Sequence, residues 1–166
     1  AAGYINNPKI ATALIDKLSK DKDVDVRKNA AHGAGNIQNP QIALLTIAKL
    51  TKNPDPKVKQ EAIYSIRKIK NNQIKNEAYK LCAKSNDINI QIGLSRNLDN
   101  IEDSKLYDLL LEKFSSSPNF EIKRNAISSL IDLDNDKIKN NSKLYDSIIK
   151  TAVKDSSSDI KSIAAL

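Results

Sequence analysis

Tryptophan and methionine are absent, and 166 residues hold one cysteine, one histidine and two phenylalanines. A single cysteine excludes an internal disulfide framework. With a single histidine it also excludes a zinc-finger ligand set. A lone histidine makes histidine-based catalysis hard to assemble. Four glycines and five prolines are too few for the tight turns of an all-β fold. No apolar run approaches the roughly 20 residues of a membrane-spanning helix, and no signal-peptide pattern opens the chain. What is present is aliphatic and charged. Hydrophobic residues make up 40% of the chain and aromatics 4%, so a core must be built from Ile, Leu, Val and Ala.

The formal charge is +7, and it is unevenly spread. Residues 1–83 hold 15 basic and 7 acidic side chains; residues 84–166 hold 12 and 13. A basic stretch attracts nucleic acid, anionic lipid or an acidic protein, or simply keeps a surface hydrated.

Sliding the sequence against itself by 32 residues brings it into register. Segments begin at Ile5, Ile37, Ile69 and Ile101 without a gap. A fifth, from Leu133, matches after a six-residue insertion between Asp134 and Asn141. Each segment reads as two helices. The first follows a column of Asn7, Asn39, Asn71, Asp103 and Asn141, side chains that accept a hydrogen bond from an otherwise unpaired N–H of a first helical turn. Pro8 and Pro40 stand in the next position, where a missing N–H costs nothing. Apolar residues then recur at helical spacing, Ile10, Leu14, Ile15 and Leu18 in one copy and Ile42, Leu45, Ile47 and Leu50 in the next, predicting a core-facing stripe. A second cap column, Asp23, Asp55, Asp87, Asn119 and Ser157, opens the second helix. Its expected core face is Val26, Ala30 and Ala34, then Val58, Ala62 and Ile66, then Ile90, Leu94 and Leu98, then Ile122, Ala126 and Leu130. Neither helix buries its stripe alone, so the pairs must stack.

The segment NPDPKVKQEA from Asn53, with DKDVDVRKNA from Asp21 and the weaker SNDINIQIGL and SPNFEIKRNA, resembles the D-P-D-P-x-V-R-x-x-A motif of short HEAT repeats, the type found in phycobilisome-lyase-like HEAT proteins. The tetratricopeptide signatures, which share a similar period, are missing. The resemblance implies an all-α fold, a right-handed α-α superhelix: a HEAT-like solenoid of about five two-helix repeats. It would span residues 1–166 as a single domain, with repeats at 5–36, 37–68, 69–100, 101–132 and 133–166. AGYI at residues 2–5 aligns with AGNI at residues 34–37, so residues 1–4 read as the tail of a preceding repeat. IKSIAAL from Ile160 begins another second helix. A portion of a longer solenoid is the expectation.

The resemblance also implies an inter-repeat ladder between the basic column Arg27, Lys59, Gln91, Lys123 and Lys161 and aspartates of the inter-helix turns, with Asp21, Asp23 and Asp55 as partners. Gln91 interrupts that column, predicting an electrostatically weaker joint around the third segment. Second helices line the concave wall of such a solenoid. The positions expected to project there are Lys28 and His32, Gln60 and Tyr64, Ile92 and Arg96, Arg124 and Ser128, followed by Gly35, Arg67, Asp99 and Ile131. The partner-binding candidates are Lys28, His32, Gln60, Tyr64, Arg67, Ile92, Arg96 and Arg124. This mixed cationic, aromatic and apolar surface suits a protein or peptide partner. The competing reading is nucleic-acid binding through Lys28, Lys52, Lys57, Lys59, Arg67, Lys68 and Lys70; a third is an accessory subunit of an enzyme.

Chemistry-bearing motifs are scarce. His32 aligns with Tyr64, Arg96 and Ser128, a surface column, and has no second ligand for a metal. Cys82 aligns with Leu18, Leu50, Phe114 and Ala152 and reads as a buried small hydrophobe. Asp132, Asp134 and Asp136 alternate, but the glycine and distant glutamate of a calcium loop are missing. No phosphate loop, GxSxG elbow or HExxH is present. HEAT-like hydroxylases need several His-Glu pairs and HEAT-like glycosylases need aromatics with a catalytic Asp; neither set is here. No catalytic residue, metal or cofactor is expected. The expected protein is a non-enzymatic interaction scaffold, cytoplasmic in setting.

Overall fold

The structure, a computed structural model, describes residues 4–131, 133 and 141–165. These form ten α-helices with short 3₁₀ turns and no strand. The helices are α1 (Pro8–Leu18), α2 (Val24–Gly33), α3 (Pro40–Leu50), α4 (Pro56–Ser65), α5 (Asn72–Ala83), α6 (Ile88–Ser95), α7 (Ser104–Ser115), α8 (Phe120–Ser128), α9 (Ser142–Ala152) and α10 (Ser158–Ala164). Two compact units divide the chain after Leu94. In the first, α2 packs on α4 and α3 on α5, so each helix stacks on its counterpart one repeat away. In the second, α7 packs on α9 and α8 on α10. The fold class is all-α with HEAT-like helix pairs.

Helix starts follow from the caps. Asn7 Oδ1 accepts from the N–H groups of Lys9 and Ile10, Asn39 from Ile42, Asn71 from Ile74 and Asp103 from Leu106. Asn141 occupies the same position without a capping bond; its amide donates to Asp108 Oδ2 at 2.9 Å, beside Tyr145, whose hydroxyl donates to Asp108 Oδ1 at 2.7 Å. The second column caps throughout, on the oxygens of Asp23, Asp55, Asp87, Asn119 and Ser157. Two residues before each of these caps, Asp21, Asn53, Ser85, Ser117 and Asp155 accept the cap residue's own N–H at 2.9–3.2 Å. Each of these five turns within a repeat therefore satisfies backbone donors with two short polar side chains, two residues apart.

The core is aliphatic, as the composition demands. Ile15, Ile47, Val58, Ile63 and Ile66 are almost wholly buried in the first unit, and Leu110, Leu111, Phe114, Ile122 and Ile127 in the second. Alanines at 11, 30, 31, 43, 62, 78 and 126 are buried beside them and permit close helix approach. Two residues assigned to the core stripe are not in it: Ile10 is 56% exposed and Leu45 is 69% exposed. The stripe is narrower than helical spacing alone allows; α1 buries Ala11 and Ile15, and α3 buries Ala43, Thr46, Ile47 and Leu50.

Candidate functional site: an aromatic and cationic cluster on the second helices

The second helices of the first unit carry the features that stand out. His32, near the end of α2, stacks on Tyr64, near the end of α4, with ring centroids 5.5 Å apart and planes 22° from parallel. Arg67 follows Tyr64 by three residues, in a 3₁₀ turn over Ile66–Lys68. At about three residues per turn it lies directly above the tyrosine. Its guanidinium carbon is 3.7 Å from the ring centroid, and its Nη2 donates to the Tyr64 hydroxyl. A guanidinium over an aromatic face is attracted by the ring quadrupole.

Lys68 completes the cluster from the other side. Its Nζ lies 2.5 Å from His32 Nε2 and 3.4 Å from the His32 carbonyl. An ammonium has only donors, so Nε2 accepts and the imidazole proton sits on Nδ1. Nδ1 faces Glu61 Oε2 at 3.4 Å. Burial, and then the neighbouring Arg67 charge, hold the Lys68 pKa below the ordinary lysine range, with Glu61 acting the other way. The result is a row of Glu61, His32, Lys68 and Arg67 around one half-buried tyrosine.

His32, Tyr64 and Arg67 are thus brought together. Lys28 is half-buried and pairs with Asp25 on its own helix at 3.6 Å. Gln60 and Ile92 are half-buried on the same series of helices. In the second unit Arg96 pairs with Glu121, and Arg124 is exposed. Gly35, expected to face outward, is buried against the Ser65 backbone. Counting nine residues on along an α-helix fails there, because the chain has passed from α2 into a 3₁₀ turn at Ala34. Glu61 and Lys68 were not among the wall candidates. Their signal was in the register: each is the sole carboxylate or sole cation in its column, where the other copies carry Asn29, Gly93 and Asn125, or Asn36, Asn100 and Asp132.

The basic column behaves differently from the wall. Arg27 Nε donates to Asp55 Oδ2 at 2.6 Å, Lys59 Nζ to Asp87 Oδ2 at 2.5 Å, and Lys123 Nζ to Asp155 Oδ2 at 2.9 Å. In all three pairs the carboxylate belongs to the following repeat. Asp21 and Asp23 use their carboxylates on local N–H groups instead. The Asp21 carbonyl does accept from Arg27. Gln91 donates to the Ser85 carbonyl at 3.4 Å, within its own repeat.

The ion pairs give a pH dependence with a definite sign. The Lys59 hydrogen bond holds Asp87, and the Lys123 hydrogen bond holds Asp155, below the usual carboxylate range. For Asp55 burial pushes upward, but the bonds from Arg27 and the Lys57 N–H outweigh it, and its pKa too is lowered. A lowered folded pKa contributes stability that is complete above the unfolded value of about 3.9 and lost as pH falls through the folded value. Urea midpoints should therefore decline as pH drops below about 4, and Asp87→Asn, which keeps the capping oxygen, should make that decline shallower. An unchanged acid limb in the variant would show that the pair contributes nothing to folding.

Cys82 is buried and its thiol is pushed up to about 12 by burial, so it stays protonated. Among the described residues no group of three His, Cys, Asp or Glu side chains is placed to hold a metal ion. Asp132, Asp134 and Asp136 lie outside the described residues. No described helix is long and apolar enough to cross a membrane.

The family model of HEAT repeats matches residues 11–83. No curated protein matches the chain in sequence. Among solved structures, an engineered protein is similar over 99% of this chain and 84% of its own, at 18% identity and a TM-score of 0.54. The complex of CpcE and CpcF of phycocyanin lyase from Nostoc sp. PCC7120 is similar over 98% of this chain, at 14% identity and a TM-score of 0.54. The chain spans 66% of that protein's length. At such identities the likeness is one of fold. The fold is one generally used to engage other proteins. Taken with the 32-residue register and the stacked pairs, these matches give the chain a HEAT-like helical-repeat fold, with HEAT repeats matched by sequence over residues 11–83.

Proposed function

We propose that the chain is a non-enzymatic interaction scaffold and that it engages a protein or peptide partner through the second-helix wall of its first unit. The stack of His32, Tyr64 and Arg67 carries this reading. Tyrosine and arginine dominate the energetics of protein interfaces, because they offer large, stiff contact area with a polar tip. Here the guanidinium is already oriented by the ring beneath it, which lowers the cost of ordering it on binding. The candidates around it, Lys28, Gln60 and Ile92, supply a mixed rim, with Arg96 and Arg124 as further candidates in the second unit.

A nucleic-acid reading would draw on the same basic half. Two of its contacts are already engaged: Lys28 pairs with Asp25, and Lys59 with Asp87. Aspartates stand beside Arg27 and Lys59 at the turns within repeats, and a phosphate backbone would be repelled by them. The accessory-subunit reading differs from the scaffold only in what the partner is, and the same wall would serve it.

Affinity capture with the chain as bait tests the reading. Tyr64→Ala and Arg67→Glu should each weaken partner capture by about tenfold or more, the scale of an interface hot spot, with the circular-dichroism spectrum unchanged. Capture that survives both substitutions would falsify the assignment of this wall.

A further inference from the structure

Beside the wall, a recessed pocket of about 290 Å³ opens where the first three repeats' inter-repeat turns meet. Ile37, Pro40 and Ile69 give it an apolar lining, and Lys68 and Lys70 give it cations. Ile37 and Ile69 are almost wholly buried and offer the pocket only their outer edges, beside the half-buried Pro40. None of its lining residues is acidic. Among the described residues, no carboxylate lies within ion-pair distance of Lys68 or Lys70. This sets the pocket apart from the turns on the other edge of the repeats, where Arg27, Lys59 and Lys123 each have an aspartate.

We infer that this pocket binds the C-terminal end of a partner peptide, with the free carboxylate held by Lys68 and Lys70 and the last apolar side chain laid against Ile37, Pro40 and Ile69. The inference deepens the scaffold reading and rests on it. Size selects a chain end: pockets for drug-sized ligands begin near 300 Å³, and 290 Å³ has room for a terminal residue and not for a folded segment. Charge selects an anion, since the charged groups lining the pocket are both cations and Arg67 adds its repulsion at Lys68, where Glu61 acts the other way and His32 takes part of the ammonium's hydrogen bonding. The apolar floor selects an anion that carries a hydrocarbon group, which a bare phosphate lacks. Lys68 pays for its partial burial with a depressed pKa, and a carboxylate guest would offset both that burial and the repulsion from Arg67.

The test is fluorescence polarisation on the whole chain. The probe is a fluorescein-labelled pentapeptide ending in leucine, as the free acid and as the C-terminal amide. The free acid should bind, and the amide should bind about tenfold more weakly, as expected when a charge-assisted contact is removed. Lys70→Glu, at an exposed position that leaves the fold intact, should weaken the free acid by about fivefold or more, the effect of replacing attraction by repulsion. Equal binding of acid and amide, or no binding of either at about 1 mM probe-site concentration, overturns the inference. The two readings fail separately. Equal binding of the two peptides leaves partner capture through Tyr64 and Arg67 standing. Carboxylate-dependent probe binding alongside capture that ignores Tyr64→Ala and Arg67→Glu supports the pocket and removes the wall.

Discussion

Gly35→Ala is expected to destabilise the chain by about 3 kcal/mol, the upper part of the range for overpacking a filled site. A Cβ at this position would stand 1.8 Å from the Ser65 carbonyl oxygen, 2.8 Å from its carbon and 3.1 Å from Lys68 Cβ. The obstruction is backbone, at the end of α4, and Ser65 is fully buried, so no side chain can swing aside. Gly35 has no positive φ; space alone demands the glycine here. For a chain of this size the melting temperature should fall by roughly 6–12 °C, measured by circular dichroism. Gly93→Ala is the matched control. Its Cβ would meet the buried Ile63 side chain, Cδ1 at 2.8 Å and Cβ at 3.3 Å, with backbone no nearer than Gln60 Cα at 3.4 Å, so a terminal methyl has to shift and no carbonyl does. Relief of a helical glycine returns up to about 1 kcal/mol, so that variant should melt close to the parent. Equal melting of Gly35→Ala and the parent would show that α4 yields without cost.

Phe114→Ala should be costlier still, about 3–5 kcal/mol. Phe114 is 1% exposed and is the bulkiest occupant of a column otherwise filled by Leu18, Leu50, Cys82 and Ala152. A close-packed core relaxes only partly around a void of this size, and the lost contacts go largely unreplaced. Urea unfolding should show a lower midpoint with an unchanged slope, the mark of altered stability without altered exposure. Phe114→Leu, which keeps most of the volume, should cost under about 1.5 kcal/mol. Similar losses for the two variants would mean that ring shape, and not volume, is what the site requires.

The helices were legible because their starts are chemical. Asn7, Asn39, Asn71, Asp103 and the second column of Asp23, Asp55, Asp87, Asn119 and Ser157 are short acceptors in the one place where a helix has N–H groups to spare. The face of each helix was less legible. Ile10 and Leu45 fit the spacing of a stripe, but spacing admits an arc wider than the one that neighbours cover. The wall was readable while the chain stayed α-helical, at His32 and Tyr64. Beyond that point the pitch tightens, which buries Gly35 and sets Arg67 above the tyrosine. Lys68 stood in the sequence as a nucleic-acid candidate and as the sole cation of its column, but its contact with His32, 36 residues away, has no local pattern to mark it.

The bridging aspartates divide their two oxygens between two repeats. In Asp55, Asp87 and Asp155 one oxygen accepts a backbone N–H of its own turn and the other takes a cation from the repeat before. In these three repeats the turn is thus partly finished by the predecessor, which limits how a gene encoding such an array can gain or lose units. Excising residues 37–68 as a block would set Arg27 before Asp87, an equivalent partner one period on. Excising residues 69–100 would set Lys59 before Asn119, an amide, and strand the lysine. Unequal recombination between these near-identical lengths of chain would therefore be tolerated at one joint and selected against at the next, although both products keep the same helical register.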